Sequence, residues 1–381
     1  MALLDNEKNL NKKSRADKLL LGIIIVLIIA VISIVALMMY LISNGSIAEA
    51  PTAYVDGIEN KSLYSSMIVQ NDANYILIKQ IAELVGYEAY NGDYIHVSEE
   101  TNKCHVIIEN EEVMQFNASS NEVSKIKLGE NLAYAKVTLK NPIVTFENEL
   151  YISIDDIQNA LYLYNMVDEK NALQIYTLET MYISYNDYAI RSGYTELVNT
   201  FVNRKAILSD ILVCKNNKNK YGVINSNGDI IIEFKYDDMN FVEETQDFIV
   251  TYNGVKGIIH DKQTKIQISY DNIEYINYAN VYAVTSNKKV AFFDINGSQL
   301  MGFNYDEVGS KTGVKNAKSV KFIDTKGLLV VKTNGKYGLI NKEGVTVVDF
   351  NLDDVYSTVF GGNVVYYVVK EGNATNINSI V

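Results

Sequence analysis

Lys220-Tyr221-Gly222-Val223-Ile224, a turn at Asn227-Gly228, the run Ile230-Ile231-Ile232 and then Tyr236-Asp237 set the pattern for the second half of this chain. The order returns three times. Lys256-Gly257-Ile258-Ile259 leads to Tyr270-Asp271, and Val290-Ala291-Phe292-Phe293 with Asn296-Gly297 leads to Tyr305-Asp306. Lys336-Tyr337-Gly338-Leu339-Ile340 with Glu343-Gly344 leads to Leu352-Asp353. Gly222 and Gly257 are 35 positions apart, Gly257 and Ala291 are 34, and Ala291 and Gly338 are 47. The longer step places an insertion around 310–321, and a period near 34 residues signals a repeat architecture. Another apolar strand precedes each unit, at 211–215, 248–252, 281–285 and 328–332, and 364–370 is left over. Short β-rich runs separated by Asn-Gly and Gly turns predict an antiparallel hairpin array, open or propeller-like.

Upstream, residues 62–178 hold a looser repeat. Tyr75-Ile76-Leu77 reads as a strand passing into a helix with Ile78, Ile81, Ala82 and Val85 on one face, ended by Gly86. A turn at Asn91-Gly92 and a strand Tyr94-Ile95-His96-Val97 follow. The second half repeats this order. Leu150-Tyr151-Ile152-Ser153-Ile154 is the strand, Asp155-Asp156 open a helix carrying Ile157, Ala160 and Leu161, and Ala172–Tyr176 is the return strand. Between the halves, 104–108 and 112–116 predict a hairpin.

Both halves carry family resemblances. The 75–86 stretch, with Ile81, Ala82, Glu83 and Gly86 in place, resembles the copper amine oxidase N-terminal-like domain, a stalk module of exported bacterial proteins. Leu77 and Lys79 stand where that motif has proline and arginine, and the second copy has Ser153 and Tyr162 at the proline and glycine places. The resemblance implies an α+β spacer or ligand-binding module, neither an oxidase nor a copper site. The 207–373 repeats resemble the WG-repeat family, whose pattern is Gly-Lys-Trp-Gly-Phe-Ile-Asp followed by Tyr-Asp. The chain contains no tryptophan. Tyr221 and Tyr337 take its place in copies one and four, and copy three also replaces the glycine with Ala291.

Residues 19–42 (LLLGIIIVLIIAVISIVALMMYLI) carry no charge and no proline, and a helix of that length spans about 36 Å, enough to cross a bilayer core. Lys12, Lys13, Arg15 and Lys18 precede it and Ser43-Asn44-Gly45-Ser46 follows it. The positive-inside rule predicts a cytoplasmic 1–18 tail and an external C-terminal block. Ala48-Glu49-Ala50 resembles a cleavage site, yet the run is longer than a signal peptide's apolar region and Pro51 follows directly, so a retained anchor is expected. Net charge is −12. Such a surface repels phosphate backbones and argues against nucleic acid as a partner. Cys104 and Cys214, 110 positions apart, read as isolated thiols, with pairing left open.

No convincing chemistry is expected. His96, His105 and His260 are the three histidines, and the first two show no established metal-ligand spacing. Gly309-Ser310-Lys311-Thr312 lacks the glycine spacing of a phosphate loop and reads as an inserted, solvated loop. The acidic pairs Glu99-Glu100, Asp155-Asp156, Asp237-Asp238, Glu243-Glu244 and Asp353-Asp354 could gather calcium or hydrolyse a glycan. Recurrence at the Tyr-Asp step argues instead for turn chemistry. The 28 tyrosines fit pleated surfaces and polymer or protein contact faces.

The expected plan is a 1–18 tail, a 19–42 transmembrane helix, a 43–61 linker, an α+β domain at 62–178, a 179–206 connector (helix or poor strands), an all-β repeat domain at 207–373 and a 374–381 tail. The expected function is a single-pass, non-catalytic binding or scaffold protein of the bacterial envelope, engaging wall polymer or an envelope protein, with no cofactor, metal or catalytic residue. An envelope glycan hydrolase and a membrane-tethered sensor or assembly factor are the alternatives.

Overall fold

The computed structural model describes residues 52–95, 102–360 and 363–381. The predicted tail, transmembrane helix and residues 43–51 of the linker lie outside these residues, as do His96, Val97, Glu99 and Glu100. Among the described residues no helix is long and apolar enough to cross a membrane.

The α+β part is built from two copies that meet. Strand Ala73–Leu77 runs into helix Ile78–Leu84, and strand Glu149–Ser153 runs through a 3-10 turn into helix Ile157–Leu161. The two strands pair antiparallel, with Ile152 opposite Ile76. Ile78, Ile81, Ala82, Ile157, Ala160 and Leu161 are buried in one core, as the spacing predicts. Gly86 ends the first helix at φ +80°, and Tyr162 ends the second at φ +55°. A tyrosine thus adopts the left-handed conformation that glycine supplies in the first copy.

The expected linker contributes to this core. Ala53–Val55 pairs parallel with Leu173–Tyr176, and Ala53 is fully buried. Tyr94 and Ile95 are bends rather than a strand. The predicted hairpin is present as Lys103–Ile108 and Glu112–Asn117, and it belongs to a five-stranded antiparallel sheet with Glu88–Asn91, Glu122–Lys127 and Ala133–Thr138. Val106, Ile108, Met114 and Phe116 of that sheet share the core with the two helices. We call it the bridging sheet. The 179–206 connector is helical, as Leu178–Arg191 and Phe201–Ala206. Met181 and Ala189 of the first helix pack on the outer face of the first repeat sheet.

Most of the described chain is β, in antiparallel sheets, and the repeats form five of them in chain order. The first holds Leu212–Lys215, Tyr221–Ile224 and Ile230–Tyr236. The second runs from Asp238–Val242 to Gln263–Tyr270 and the third from Asn272–Ile276 to Gln299–Tyr305. The fourth centres on Leu328–Thr333 and Lys336–Ile340, and the fifth on Asp354–Phe360 and Asn363–Lys370. Each sheet shares an apolar layer with the next. Val223 and Phe248 meet between sheets one and two, Ile258 and Val284 between two and three, Phe292 and Leu329 between three and four, and Leu339 and Val368 between four and five.

The repeated residues join one sheet to the next. The Tyr-Asp step is the corner where a strand leaves its sheet, and the backbone N–H of Asp237, Asp271, Asp306 and Asp353 donates across to Thr251, Thr285, Lys332 and Val369. The carboxylates of Asp237, Asp271 and Asp306 accept from the turn N–H of Asn253, Asn287 and Asn334, at 2.6, 2.7 and 2.7 Å. Lys220, Lys289 and Lys336 bond the aspartates of their own copies. The copy-two lysine, Lys256, reaches Asn272 instead, at 2.8 Å. These contacts support turn chemistry over calcium for the Asp237 and Asp353 pairs.

Two further readings change. The insertion is partly ordered as strand, because Lys318–Ser319 pairs with Asp354–Phe360 at the edge of the fifth sheet. The expected 374–381 tail begins inside a strand, Asn373–Asn376, and places Ile377 in the core.

Candidate functional site

The bridging sheet brings the two halves of the chain together at two places. The first is a buried charge cluster. Lys205 Nζ lies 2.7 Å from Glu112 Oε1 and also pairs with Glu243, while Lys125 Nζ lies 3.0 Å from Glu243 Oε1. Tyr134 and Tyr162 each donate to Glu112 at 2.6 Å. The Lys205 ammonium sits 4.8 Å from the Tyr162 ring centre and 4.4 Å from that of Phe201. Burial pushes the Glu112 carboxyl up, but the Lys205 and Lys125 ammoniums and the hydrogen bonds outweigh it, so the group stays below its usual range. Every charge here has a partner, and the cluster ties the bridging sheet to the Phe201–Ala206 helix and to the first turn of the second repeat sheet.

The second place is a cleft of about 380 Å³. Its roof is the turn 128–132 between strands Glu122–Lys127 and Ala133–Thr138, which reaches over the third, fourth and fifth repeat sheets. Gly129, at φ +82°, makes that turn, and its N–H donates to Tyr94 Oη at 2.7 Å. Leu132 packs into the apolar layer of sheets four and five. Tyr278 donates to Glu130, Lys318 donates to the Gly129 carbonyl, and Tyr366 donates to Asp324 at 2.7 Å. Burial and the adjoining carboxylates raise the Tyr278 and Tyr366 phenols far above their ordinary value. Both phenols therefore stay protonated as donors.

The residues weighed as candidates in the sequence, none of them expected to form a site, fall elsewhere. His105 is buried, stacked on Tyr90 at 5.2 Å, and desolvation lowers its pKa. His260 Nδ1 lies 2.7 Å from the fully buried Asp247, which also holds Lys265 at 2.6 Å and the Tyr282 phenol. Among the described residues no group of three or more His, Cys, Asp or Glu is arranged to hold a metal. Cys104 and Cys214 are separate buried thiols, each pushed up to about 12 by burial. Asp156 caps the backbone of Lys140 and Asn141 at 2.7 and 3.1 Å, and Glu244 accepts from Asn277 at 3.0 Å. Ser310 is buried, accepting from the Val320 N–H, and borders the cleft. Among the described residues most tyrosines are buried or half-buried, only Tyr90 and Tyr252 are exposed, and several donate to carboxylates.

Glu112, Lys125 and Lys205 carry no motif, and the 128–132 turn looks like any Gly-containing turn in sequence. The charged residues inside apolar β runs were the available signal: Lys125 between Val123 and Ile126, and Glu112 before Val113.

The WG containing repeat family model matches residues 221–245 and 337–373, so the chain carries repeats of this type. No curated protein matches the sequence. Among solved structures, KlHsv2 with loop 6CD replaced by a Gly-Ser linker is similar at 10% identity, over 76% of this chain and 90% of that one, with a TM-score of 0.25. Kluyvelomyces marxianus Hsv2 is similar at 8% identity over 74% and 91%, with a TM-score of 0.25. The WD40 beta propeller domain of Doa1 is similar at 10% identity over 76% and 85%, with a TM-score of 0.21. At these scores the likenesses carry no argument, and the architecture rests on the strand pairings.

Proposed function

We propose that this chain is a membrane-anchored, extracytoplasmic binding and scaffold protein of the bacterial cell envelope. In this reading residues 62–178 serve as a copper amine oxidase N-terminal-like module, the repeats stack in a propeller-like array, and the chemistry is binding rather than turnover. The observation that carries it is the cleft under the 128–132 turn. Both halves of the chain wall it, and its mixture of apolar, amide and carboxylate groups suits recognition of a wall polymer or a protein partner.

The test is co-sedimentation of the full chain with insoluble wall sacculi, joined to photo-crosslinking in cells from a reactive group at Asn316 on the cleft rim. A binding protein gives sedimentation or a discrete crosslinked partner, and Asn131→Trp, which fills the cleft, abolishes it. Neither signal, or signals indifferent to Asn131→Trp, would sink the proposal.

One observation favours the glycan hydrolase as a second reading: Glu130 and Asp324 share the cleft. Release of reducing sugar from sacculi that stops in Glu130→Gln would establish it.

A further inference from the structure

We infer that the cleft takes an uncharged, hydroxyl-rich chain, a neutral oligosaccharide segment; this rests on the binding reading above and names its ligand class. In a protein of net charge −12, the cleft wall is balanced, with Lys127, Lys318 and Lys321 against Glu130, Glu274 and Asp324. Each of the three lysines already has a contact within the protein. Lys321 pairs with Glu274, Lys318 bonds the Gly129 carbonyl, and the Lys127 ammonium lies 5.5 Å from the Tyr134 ring centre. With three cationic side chains against three carboxylates on the wall, an anionic ligand gains no net charge attraction there.

Those carboxylates suit hydroxyl donors. Glu130 and Asp324 each accept one phenol, through Oε2 and Oδ1. An ionised carboxylate offers roughly four lone-pair sites, so each retains capacity for ligand O–H groups, and such charge-assisted bonds are stronger than neutral ones. Asn131 and Asn277 also line the cleft, and an amide can both donate and accept, with one Asn277 N–H already given to Glu244. Leu132 and Phe322 supply apolar surface for the C–H faces of sugar rings. At about 380 Å³ the cleft has the size of a small-molecule site, which are roughly 300–1,000 Å³.

The test is calorimetric titration of the full chain with cellohexaose and chitohexaose, both uncharged, and with hexagalacturonate, which is anionic. At least one uncharged hexasaccharide saturates a single site, and hexagalacturonate binds at least tenfold more weakly. The isosteric double variant Glu130→Gln/Asp324→Asn loses at least tenfold, as does Asn131→Trp, which disturbs no carboxylate. The melting temperature of each variant accompanies its titration. Absence of binding by both uncharged chains, equal binding of hexagalacturonate, or unchanged binding by both variants overturns the inference. If the sugars fail but the Asn316 crosslink captures a protein that Asn131→Trp releases, the binding reading stands and the sugar class falls. If the crosslink and sacculi also fail, both fall.

Discussion

Lys205 and Glu112, 93 positions apart, meet at 2.7 Å with their side chains 3% and 9% exposed. Removing one partner of such a pair strands a charge that water cannot reach. Lys205→Met is therefore expected to lower stability by about 3–5 kcal/mol. The exposed pair Lys136–Glu122, also at 2.7 Å, is the control, and Lys136→Met should cost less than about 1 kcal/mol. Urea unfolding of the three proteins measures both. Equal effects would mean that the buried cluster contributes nothing special.

The repeat glycine is a packing requirement. A Cβ on Gly257 would fall 2.5 Å from Ile268 Cγ1 and 2.7 Å from its Cα, and one on Gly222 would fall 2.7 Å from the Phe234 ring. Gly257→Ala is expected to cost about 1–3 kcal/mol through overpacking. Copy three tolerates a fully buried Ala291 at this place. Ala291→Gly should cost about 1 kcal/mol, from strand entropy and lost contact. Thermal unfolding checks the order, and a neutral Gly257→Ala would remove the steric account.

Stability should decline in two steps as pH falls. His105 is held neutral by burial, with a folded pKa below its ordinary 6.5. Its contribution is complete above 6.5 and is lost as pH falls from there toward the folded value, because the unfolded chain binds the proton first. The second step comes from Asp237, Asp306 and Asp353, whose carboxyls are depressed below 3.8, first by their lysine hydrogen bonds. Their contribution is present above 3.8 and is lost as pH falls through the lower folded values. Scanning calorimetry across pH should show both steps, and His105→Gln should erase the upper one alone.

Both thiols should be silent in the native state. With pKa values near 12 and full burial, Cys104 and Cys214 carry almost no thiolate at pH 8. Iodoacetamide should label neither until denaturant is added, and non-reducing electrophoresis should show no internal disulfide. Rapid labelling of the native protein would contradict their placement.

What the sequence by itself determined is what short-range periodicity can encode. The recurrence, near 34 residues before the inserted step, of a glycine or alanine in a β run and a closing aspartate specified the repeat sheets, because each unit folds on its own turns and stacks on its neighbour. The strand–helix order around Ile76 and Ile152 was legible for the same reason: one apolar face and one left-handed cap define it. The tertiary structure alone decided the rest. Tyr278 meets Glu130 across 148 positions, Lys318 meets Gly129 across 189, and Lys125 meets Glu243 across 118. No local pattern records such pairs, since each residue looks ordinary among its neighbours. Only the fold of the bridging sheet over the repeats brings them together, and it half-buries the Tyr278–Glu130 and Lys125–Glu243 pairs.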